Sequence, residues 1–469
     1  MPKSPPRFDR QPDFVGLGEF QTPYGTQKLE CSFLLPRSET ETIWMLIRAG
    51  SLNESFITGS WKFSCELRLE SHTLFAEEVF HSSYTAWDWG NGNQNTLIGE
   101  VTKLTITHGD VESSAIARVR FSVTPSALLR SADIVARSNG KVVVQQIVRK
   151  GPACEVNSGI RFQFSSFYQE GPAGDVQSSV QCELLDPQRM RDSKLVLLSL
   201  ENALAIASLA ERRPLLLTGW ELTYANGAIK QYCRRDFAVP SGQEADIDET
   251  LIALRDFEEY LNQTVLKFGT LNYQSALKQA IYFTLHGQQR GIGDSFVILF
   301  AGLETLLNIF RSQAKMEVIF PKKDWRRLRD KIKSLLGQED IVLRLPPDRR
   351  GALENKLSEI NRVSFADAFK SMCSERKVNL SDLWPMVDPK AGSLYALRNR
   401  IVHGRVFSGD EEWFRVVSPK YHLLWTLERS ILEVLGWPIE KSRVSPSSLS
   451  HMTLYATWRA DQQYFAGLK

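Results

Sequence analysis

The chain has 469 residues, a formal net charge of +3, 43% hydrophobic and 24% charged residues. This is an ordinary globular composition, and the small net charge excludes a nucleic-acid coat over the whole surface, so such contacts must come from local clusters of basic residues. Because the chain has no apolar run of about 18 residues, no apolar secretion signal and no C-x-x-C pair among its six cysteines, we expect no membrane contact, no metal or other cofactor, and a cytoplasmic location.

Residues from about 25 to 240 alternate apolar and polar, the spacing of half-buried strands. The clearest segment is Trp61–Leu69, and Asn226-Gly227 predicts a hairpin turn between two further strands. One long helix is predicted at Asp192–Glu211. We therefore expect a β-rich domain over residues 1–242, a sandwich or barrel with one packed helix. Other predicted strands are Ile43–Ile47, Val101–Thr107, Ala115–Val123, Val142–Val148 and Ile160–Phe164.

After Pro240 the apolar residues recur at helical spacing, which predicts an all-α bundle over residues 243–440 and an α+β chain overall. Helix starts are predicted at Asp294, Ser364 and Ser418-Pro419. No structure is predicted for the tail, residues 441–469. The predicted helices are Asp246–Phe268, Leu271–His286, Asp294–Phe310, Lys323–Leu336, Arg349–Asn361, Ser364–Glu375, Pro389–His403 and Pro419–Leu435.

The segment from Ser393 to Gly404 carries the residues with the clearest chemical potential. Its apolar residues predict one buried stripe, whereas Tyr395, Asn399 and His403 are spaced by four and line up on a neighbouring face. Arg398 precedes Asn399 directly. A histidine that moves protons, an arginine that stabilises phosphorane charge and an amide that orients groups are suited to phosphodiester cleavage. No carboxylate cluster accompanies them in the sequence.

Arg398-Asn399, followed after three residues by His403, resembles the R-x4-6-H motif of HEPN domains, whose ribonuclease members usually carry asparagine after the arginine. The stretch Phe300–Leu307, with Glu304 inside it, is similar to a helix of the Apea-like HEPN group, which often has a β-rich region ahead of the bundle. The resemblance covers about residues 245–440. A helical insertion at about Ser312 to Val387 departs from it.

The resemblance implies metal-independent RNA cleavage, in which the substrate 2′-hydroxyl attacks its own phosphate and leaves a 2′,3′-cyclic end. It also implies a homodimer with two motifs facing one cleft, and a role in antiviral defence against phage by abortive infection. The β-rich domain would then be a sensing or regulatory part that binds a phage-derived trigger or ligand.

Two basic segments are candidates for RNA binding: the residues around the motif, from Lys390 to Arg405, and the run from Lys322 to Lys333. The run from Lys322 to Lys333 has seven basic and two acidic residues, although such runs are usually solvated faces. A loop at Trp87–Asn93 is interpreted as a turn with buried tryptophans rather than a ligand site. The RNA-binding candidates are Arg400, Arg405, Lys390, Lys322, Lys323, Trp325, Arg326 and Arg327.

Several alternatives stay open at this point. The motif is also compatible with a surface turn that ends a helix, and Glu304 with a purely structural ion pair to an arginine such as Arg398. One rival function is an inactive HEPN fold for dimerisation or nucleotide binding. Another is a partner of a nucleotidyltransferase, with Tyr395 or another hydroxyl of the same helix carrying the nucleotide.

Overall fold

The computed structural model describes most of the chain in segments. Contacts divide the chain into two compact units, Met1–Leu266 and Lys267–Lys469. This layout confirms the predicted combination of a β-rich N-terminal part and a helical C-terminal part. The described residues are 11–22, 25–36, 42–48, 62–87, 94–112, 114–138, 141–156, 159–170, 176–235, 249–288, 290–336, 347–388, 392–403 and 414–467.

The first unit contains strands β1 to β14, one short 3-10 helix and two α-helices. The strands are β1 (Phe14–Thr22), β2 (Gly25–Leu34), β3 (Ile43–Arg48), β4 (Lys62–Arg68), β5 (His72–Trp87), β6 (Gln94–His108), β7 (Ile116–Val123), β8 (Ala132–Ser138), β9 (Lys141–Arg149), β10 (Ala153–Glu155), β11 (Arg161–Glu170), β12 (Val176–Leu184), β13 (Leu217–Tyr224) and β14 (Ile229–Arg234). The helices are the 3-10 helix Pro187–Asp192, α1 (Ser193–Glu211) and α2 (Phe257–Gly269).

Strands β1 to β6 close a barrel. Their order is β6-β3-β2-β1-β4-β5, and β5 pairs with β6 to complete the ring. Because side chains of a strand alternate between faces, one set from every strand fills the interior, including Phe20, Cys31, Met45, Cys65 and Val101. Of the two predicted arrangements, sandwich or barrel, these six strands therefore form the barrel.

Strand β6 belongs to the barrel and to a second, open part of the sheet. One edge pairs with β5, while the other pairs first with β3 and then, from Lys103 to His108, with β14. From there the sheet continues in the order β14-β13-β7-β12-β11-β10, and β8 and β9 form a separate hairpin. The predicted turn between β13 and β14 is confirmed, with Gly227 at φ 86°.

Helix α1 begins after Asp192, whose side chain accepts a hydrogen bond from the Leu195 N–H. At its other end Glu211 is buried, and its carboxylate accepts hydrogen bonds from the Ser126 hydroxyl and the Ala127 N–H. Burial raises the pKa of Glu211 above its usual value, against these hydrogen bonds. Glu211 thus joins the end of α1 to the turn that follows β7.

Helix α2 is bonded to the first unit, which therefore extends beyond the predicted boundary at residue 242. The Tyr260 hydroxyl donates to the Ile206 carbonyl at 3.2 Å, and the Asn262 amide donates to the Ala153 carbonyl at 2.9 Å. The predicted helix start, Asp246, lies outside the described residues. The Leu251 N–H donates to the Ala210 carbonyl at the end of α1, so residues 249–256 are not α-helical and α2 begins only at Phe257.

The second unit consists of helices around α4. Its predicted apolar stripe, including Phe296, Leu303 and Leu307, is buried, and Gly302 lets Leu427 of α9 approach closely. The helices are α3 (Gln274–Gln288), α4 (Ile292–Ala314), α5 (Lys322–Leu336), α6 (Pro347–Ile360), α7 (Phe365–Glu375), α8 (Leu394–Val402), α9 (Val417–Val434), α10 (Pro446–Leu449) and α11 (Thr453–Gly467). The tail left without predicted structure contains α10 and α11.

Of the three predicted helix starts, one is confirmed. The Ser364 side chain accepts from the Asp367 N–H and caps α7. Helix α4 begins earlier than predicted, after Gly291, which puts Asp294 in its first turn. Helix α9 begins at Val417, because Ser418 is buried and its hydroxyl donates to the Leu454 carbonyl instead of capping.

Two helices, Pro187–Glu211 and α4, are long and apolar enough to cross a membrane by length and composition. About half of each apolar window is buried within the protein, as in the core helices of globular proteins.

Candidate active site on helix α8

Helix α8 starts at a well-bonded turn. The Ser393 side chain accepts a hydrogen bond from the Ala396 N–H, as an N-cap does. The N–H groups of Leu394 and Tyr395 donate to the carbonyls of Pro385 and Met386, both at 3.0 Å. Helix α8 therefore begins at Leu394, because Ser393 has an extended backbone and caps it, and the predicted start at Pro389 lies outside the described residues.

The predicted stripe holds α8 against the unit. Leu394 and Leu397 are fully buried, whereas Ile401 is only half-buried. On the next face Tyr395 stacks on Phe365 of α7, with ring centroids 4.9 Å apart, and lies 6.4 Å from the ring of Phe300 on α4. Phe365 was not predicted from the sequence, because stacking across separate helices leaves no local pattern.

Arg398 is held from two sides. Its Nη1 donates to the Asn399 Oδ1 at 3.1 Å, and its Nη2 lies 3.8 Å from the Glu304 Oε1. The contact with Glu304 is long, and the Glu304 side chain is 47% exposed, so solvent weakens the ion pair. The Nε of Arg398 is buried and makes no hydrogen bond to any described residue. The Arg398 side chain as a whole is 28% exposed, so its terminal nitrogens keep hydrogen-bonding capacity for a ligand.

His403 stands at the C-terminal end of α8. Its N–H donates to the Asn399 carbonyl at 3.0 Å, so the residue continues the last helical turn, and its side chain is exposed. Asn399 therefore connects the two other motif residues: its side chain binds Arg398 and its carbonyl binds the backbone of His403. An exposed imidazole at the end of the helix that carries a fixed guanidinium is accessible to a phosphodiester.

Among the described RNA-binding candidates, only Arg400 lies on the helix that carries the motif. Arg400 lies on α8 and is half-buried, and its Nε, too, has no hydrogen-bond partner within the described part of the chain. Lys390 and Arg405 lie outside the described residues, as does most of the Trp87–Asn93 loop. The remaining RNA-binding candidates, Lys322 to Arg327, lie on α5.

Helix α5 is the most exposed helix with basic character. It contains no buried residue, and it contacts α6. Trp325 and Ile332 are half-buried, while Lys322, Lys323, Arg326 and Arg327 are exposed and make no ion pair with another described residue. The apolar and basic residues occupy opposite sides of the helix, because the apolar ones are three or four positions apart. The basic side is a surface that suits phosphate groups.

No family model, curated protein or solved structure matches the chain. Within the described segments, no three His, Cys, Asp or Glu residues are grouped as a metal site would be. The roles of the site residues therefore rest on their chemistry and geometry.

Proposed function

We propose that the chain is a metal-independent endoribonuclease of the HEPN type, related to the Apea-like group and acting in defence against phage. In this proposal His403 moves protons as general acid and base, and Arg398 stabilises the charge that develops on the phosphorane. Asn399 orients the guanidinium. The RNA 2′-hydroxyl attacks the adjacent phosphorus, the bond to the 5′-oxygen breaks and that oxygen takes up a proton, which leaves a 2′,3′-cyclic phosphate.

One observation carries the proposal. The guanidinium of Arg398 is fixed by Asn399 while the side chain stays 28% exposed, and His403 is exposed at the end of the same helix. A phosphate can therefore accept hydrogen bonds from the terminal nitrogens of Arg398, and such charge-assisted hydrogen bonds are stronger than those between neutral groups.

The test is RNA cleavage by the full-length protein with EDTA present. Arg398→Ala and His403→Ala should each lower cleavage by a factor on the order of 100 to 1000, whereas Asn399→Ala should lower it less. Arg376→Ala and His451→Ala are matched controls in the same unit and should cleave normally. The products should carry 2′,3′-cyclic ends, in vitro and in RNA from producing cells. Unchanged cleavage in both motif variants would overturn the assignment.

A second candidate is an inactive HEPN-like module, which the contact between Arg398 and Glu304 favours. If this ion pair is only structural, Glu304→Gln should lower the free energy of unfolding, and no RNA cleavage should be seen with wild type. If the site is catalytic, Glu304→Gln should change cleavage at unchanged stability. A homodimer that brings two α8 helices to one cleft belongs to the first proposal and is checked by light scattering.

A further inference from the structure

The C-terminal helix α11 contacts the chain directly before α8. At Gly392 an added Cβ would lie 2.8 Å from the Cβ of Phe465 and 2.9 Å from the backbone nitrogen of Ala466. Any side chain at this position would therefore force α11 and the segment apart. The carbonyl of Gly392 also accepts a hydrogen bond from the Trp384 indole at 2.6 Å, and the next residue, Ser393, caps α8.

The same helix binds the chain again after the motif. The Nη1 of Arg415 lies 2.9 Å from the Oδ1 of Asp461, and its guanidinium carbon lies 4.6 Å from the centre of the Tyr464 ring. The side chains of Arg415 and Asp461 are 31% and 20% exposed, so the ion pair is partly shielded from water. Asp461, Tyr464 and Phe465 thus contact both sides of the segment that carries Arg398 and His403.

Helix α11 is itself firmly attached to the centre of the unit. Trp458 and Phe465 are 6% and 3% exposed. The Tyr455 hydroxyl donates to Asp382 at 2.9 Å, and Asp382 forms a bidentate ion pair with the buried Arg429 of α9, at 2.6 and 2.7 Å. A chain of partly buried polar contacts therefore connects α11 to α9 and anchors α11 in the unit.

We propose that α11 holds α8 in the orientation that RNA cleavage requires, and that Asp461, Tyr464 and Phe465 are positioning residues of the site. The inference rests on the proposed ribonuclease function. Helix α8 has nine residues, a length of about 14 Å at a rise of about 1.5 Å per residue. A tilt of about 5° at Gly392 would move the far end by roughly 1 Å. A displacement of about 1 Å can cost a factor on the order of 100 in rate.

The first test uses Gly392→Ala, with Gly467→Ala on α11 as its control, because a Cβ at Gly467 meets no atom within 4 Å. Gly392→Ala should lower the rate of cleavage of total cellular RNA at saturating concentration by about 100-fold. The concentration for half-maximal rate should stay within about twofold, since no RNA contact is removed.

The second test removes the ion pair without adding bulk. Asp461→Asn should lower the cleavage rate by about threefold to tenfold, and the exchanged pair Arg415→Asp with Asp461→Arg should restore most of it. Glu359→Gln, which removes the surface ion pair to Lys356, is the control and should cleave normally. If Gly392→Ala does not fold, these variants still decide the matter.

A readout independent of cleavage separates the two proposals. Amide hydrogen exchange in α8 should become roughly tenfold faster in Asp461→Asn and should return to the wild-type rate in the exchanged pair. If wild type cuts no RNA but these exchange rates change as expected, the ribonuclease proposal fails and the support by α11 remains. If exchange in α8 and cleavage are both unchanged in Gly392→Ala and Asp461→Asn, the positioning role of α11 is wrong.

Discussion

Arg398 and His422, two polar residues of the second unit, differ in burial and in how completely their hydrogen-bonding groups find partners. Arg398 has one close partner and one distant partner, and its side chain is 28% exposed. His422 is fully buried, and its Nδ1 accepts a hydrogen bond from the Trp384 N–H at 3.1 Å. Its ring lies among those of Trp425, Trp458 and Tyr455. His422 therefore stabilises the fold, whereas Arg398 remains available to a ligand.

Burial lowers the pKa of His422 to about 4, against the hydrogen bond to Leu454. In the unfolded chain a histidine has a pKa near 6.5. The folded protein thus binds this proton more weakly, and its stability falls as the pH drops from about 6.5 to about 4. Between pH 7 and pH 5 the free energy of unfolding should fall by about 2 kcal/mol from this residue. Urea unfolding at the two pH values measures the difference.

The control for this prediction is His422→Asn, whose side-chain oxygen keeps an acceptor for the Trp384 N–H but does not titrate. On acidification from pH 7 to pH 5, this variant should lose about 2 kcal/mol less free energy of unfolding than wild type. The exposed His451→Asn should behave as wild type. Asp382 does not disturb the comparison. Burial would raise its pKa, but the hydrogen bonds and charge of Arg429 outweigh burial and lower it from 3.8, below the pH range used. An equal loss in wild type and His422→Asn would contradict the assignment.

Among the described helices, α5 has the exposed basic side that is best suited to bind along an RNA backbone. Four of its exposed cations, Lys322, Lys323, Arg326 and Arg327, make no ion pair with described residues. In a His403→Ala background, changing all four to alanine should weaken RNA binding. It should also reduce the slope of log affinity against log salt by up to about 3, since each single-strand phosphate contact contributes about 0.7.

Fluorescence anisotropy with labelled single-stranded RNA at several salt concentrations makes this measurement. Lys356→Ala on α6 is the control, because that lysine is already paired with Glu359. An unchanged slope would show that α5 is a solvated face and does not bind RNA.

Elements whose pattern is local were predictable from the sequence, and elements completed by distant residues were not. Apolar and polar residues alternate regularly along strand β4, because the inward-facing side chains of this strand themselves fill the adjacent part of the barrel interior. Strand β1 does not, because it carries Gly18, where a Cβ would lie 2.7 Å from the sulfurs of Cys31 and Cys65 on its neighbours. Side chains from β2 and β4 thus occupy the core space of β1 and break its apolar pattern.

The same distinction applies to the site. Arg398, Asn399 and His403 are close in sequence on one helix, so their spacing predicted that they share a helical segment. The contribution of α11 was not predictable. Its deeply buried side chains are only Trp458 and Phe465, two turns apart, which is too few to form a recognisable stripe. Their partners, Trp384 and Gly392, lie far away in the sequence.

At the scale of the whole molecule, the division at Leu266 defines a test of independent folding. A fragment of residues 267–469 should fold and keep cleavage that depends on Arg398 and His403, because the core around α4 lies within it. On the hypothesis that the β-rich unit binds a trigger, the fragment should also be active without it. Circular dichroism and RNA cleavage on the fragment check this. A fragment that folds but stays inert where full-length protein cuts would end the sensor–effector interpretation.

A longer fragment, residues 243–469, provides the comparison. It retains α2 but lacks Ile206 and Ala153, to which Tyr260 and Asn262 are bonded. Its residues 249–266 should therefore exchange their amide hydrogens rapidly, while cleavage equals that of the shorter fragment. Slow exchange in this stretch would show that α2 is stable without the β-rich unit.

The shared strand β6 has a consequence for how the protein is made. Its first half meets β3, which has already left the ribosome, but Lys103 to His108 pair with β14, which ends at Arg234. At about 5–20 residues per second, the intervening chain takes on the order of ten seconds to synthesise. During that interval, Lys103 to His108 of the nascent barrel have no partner strand on one edge. Strands of neighbouring nascent chains can pair with that edge. Slow codons within residues 109–228 should therefore increase aggregation, and rapid translation of that stretch should reduce it.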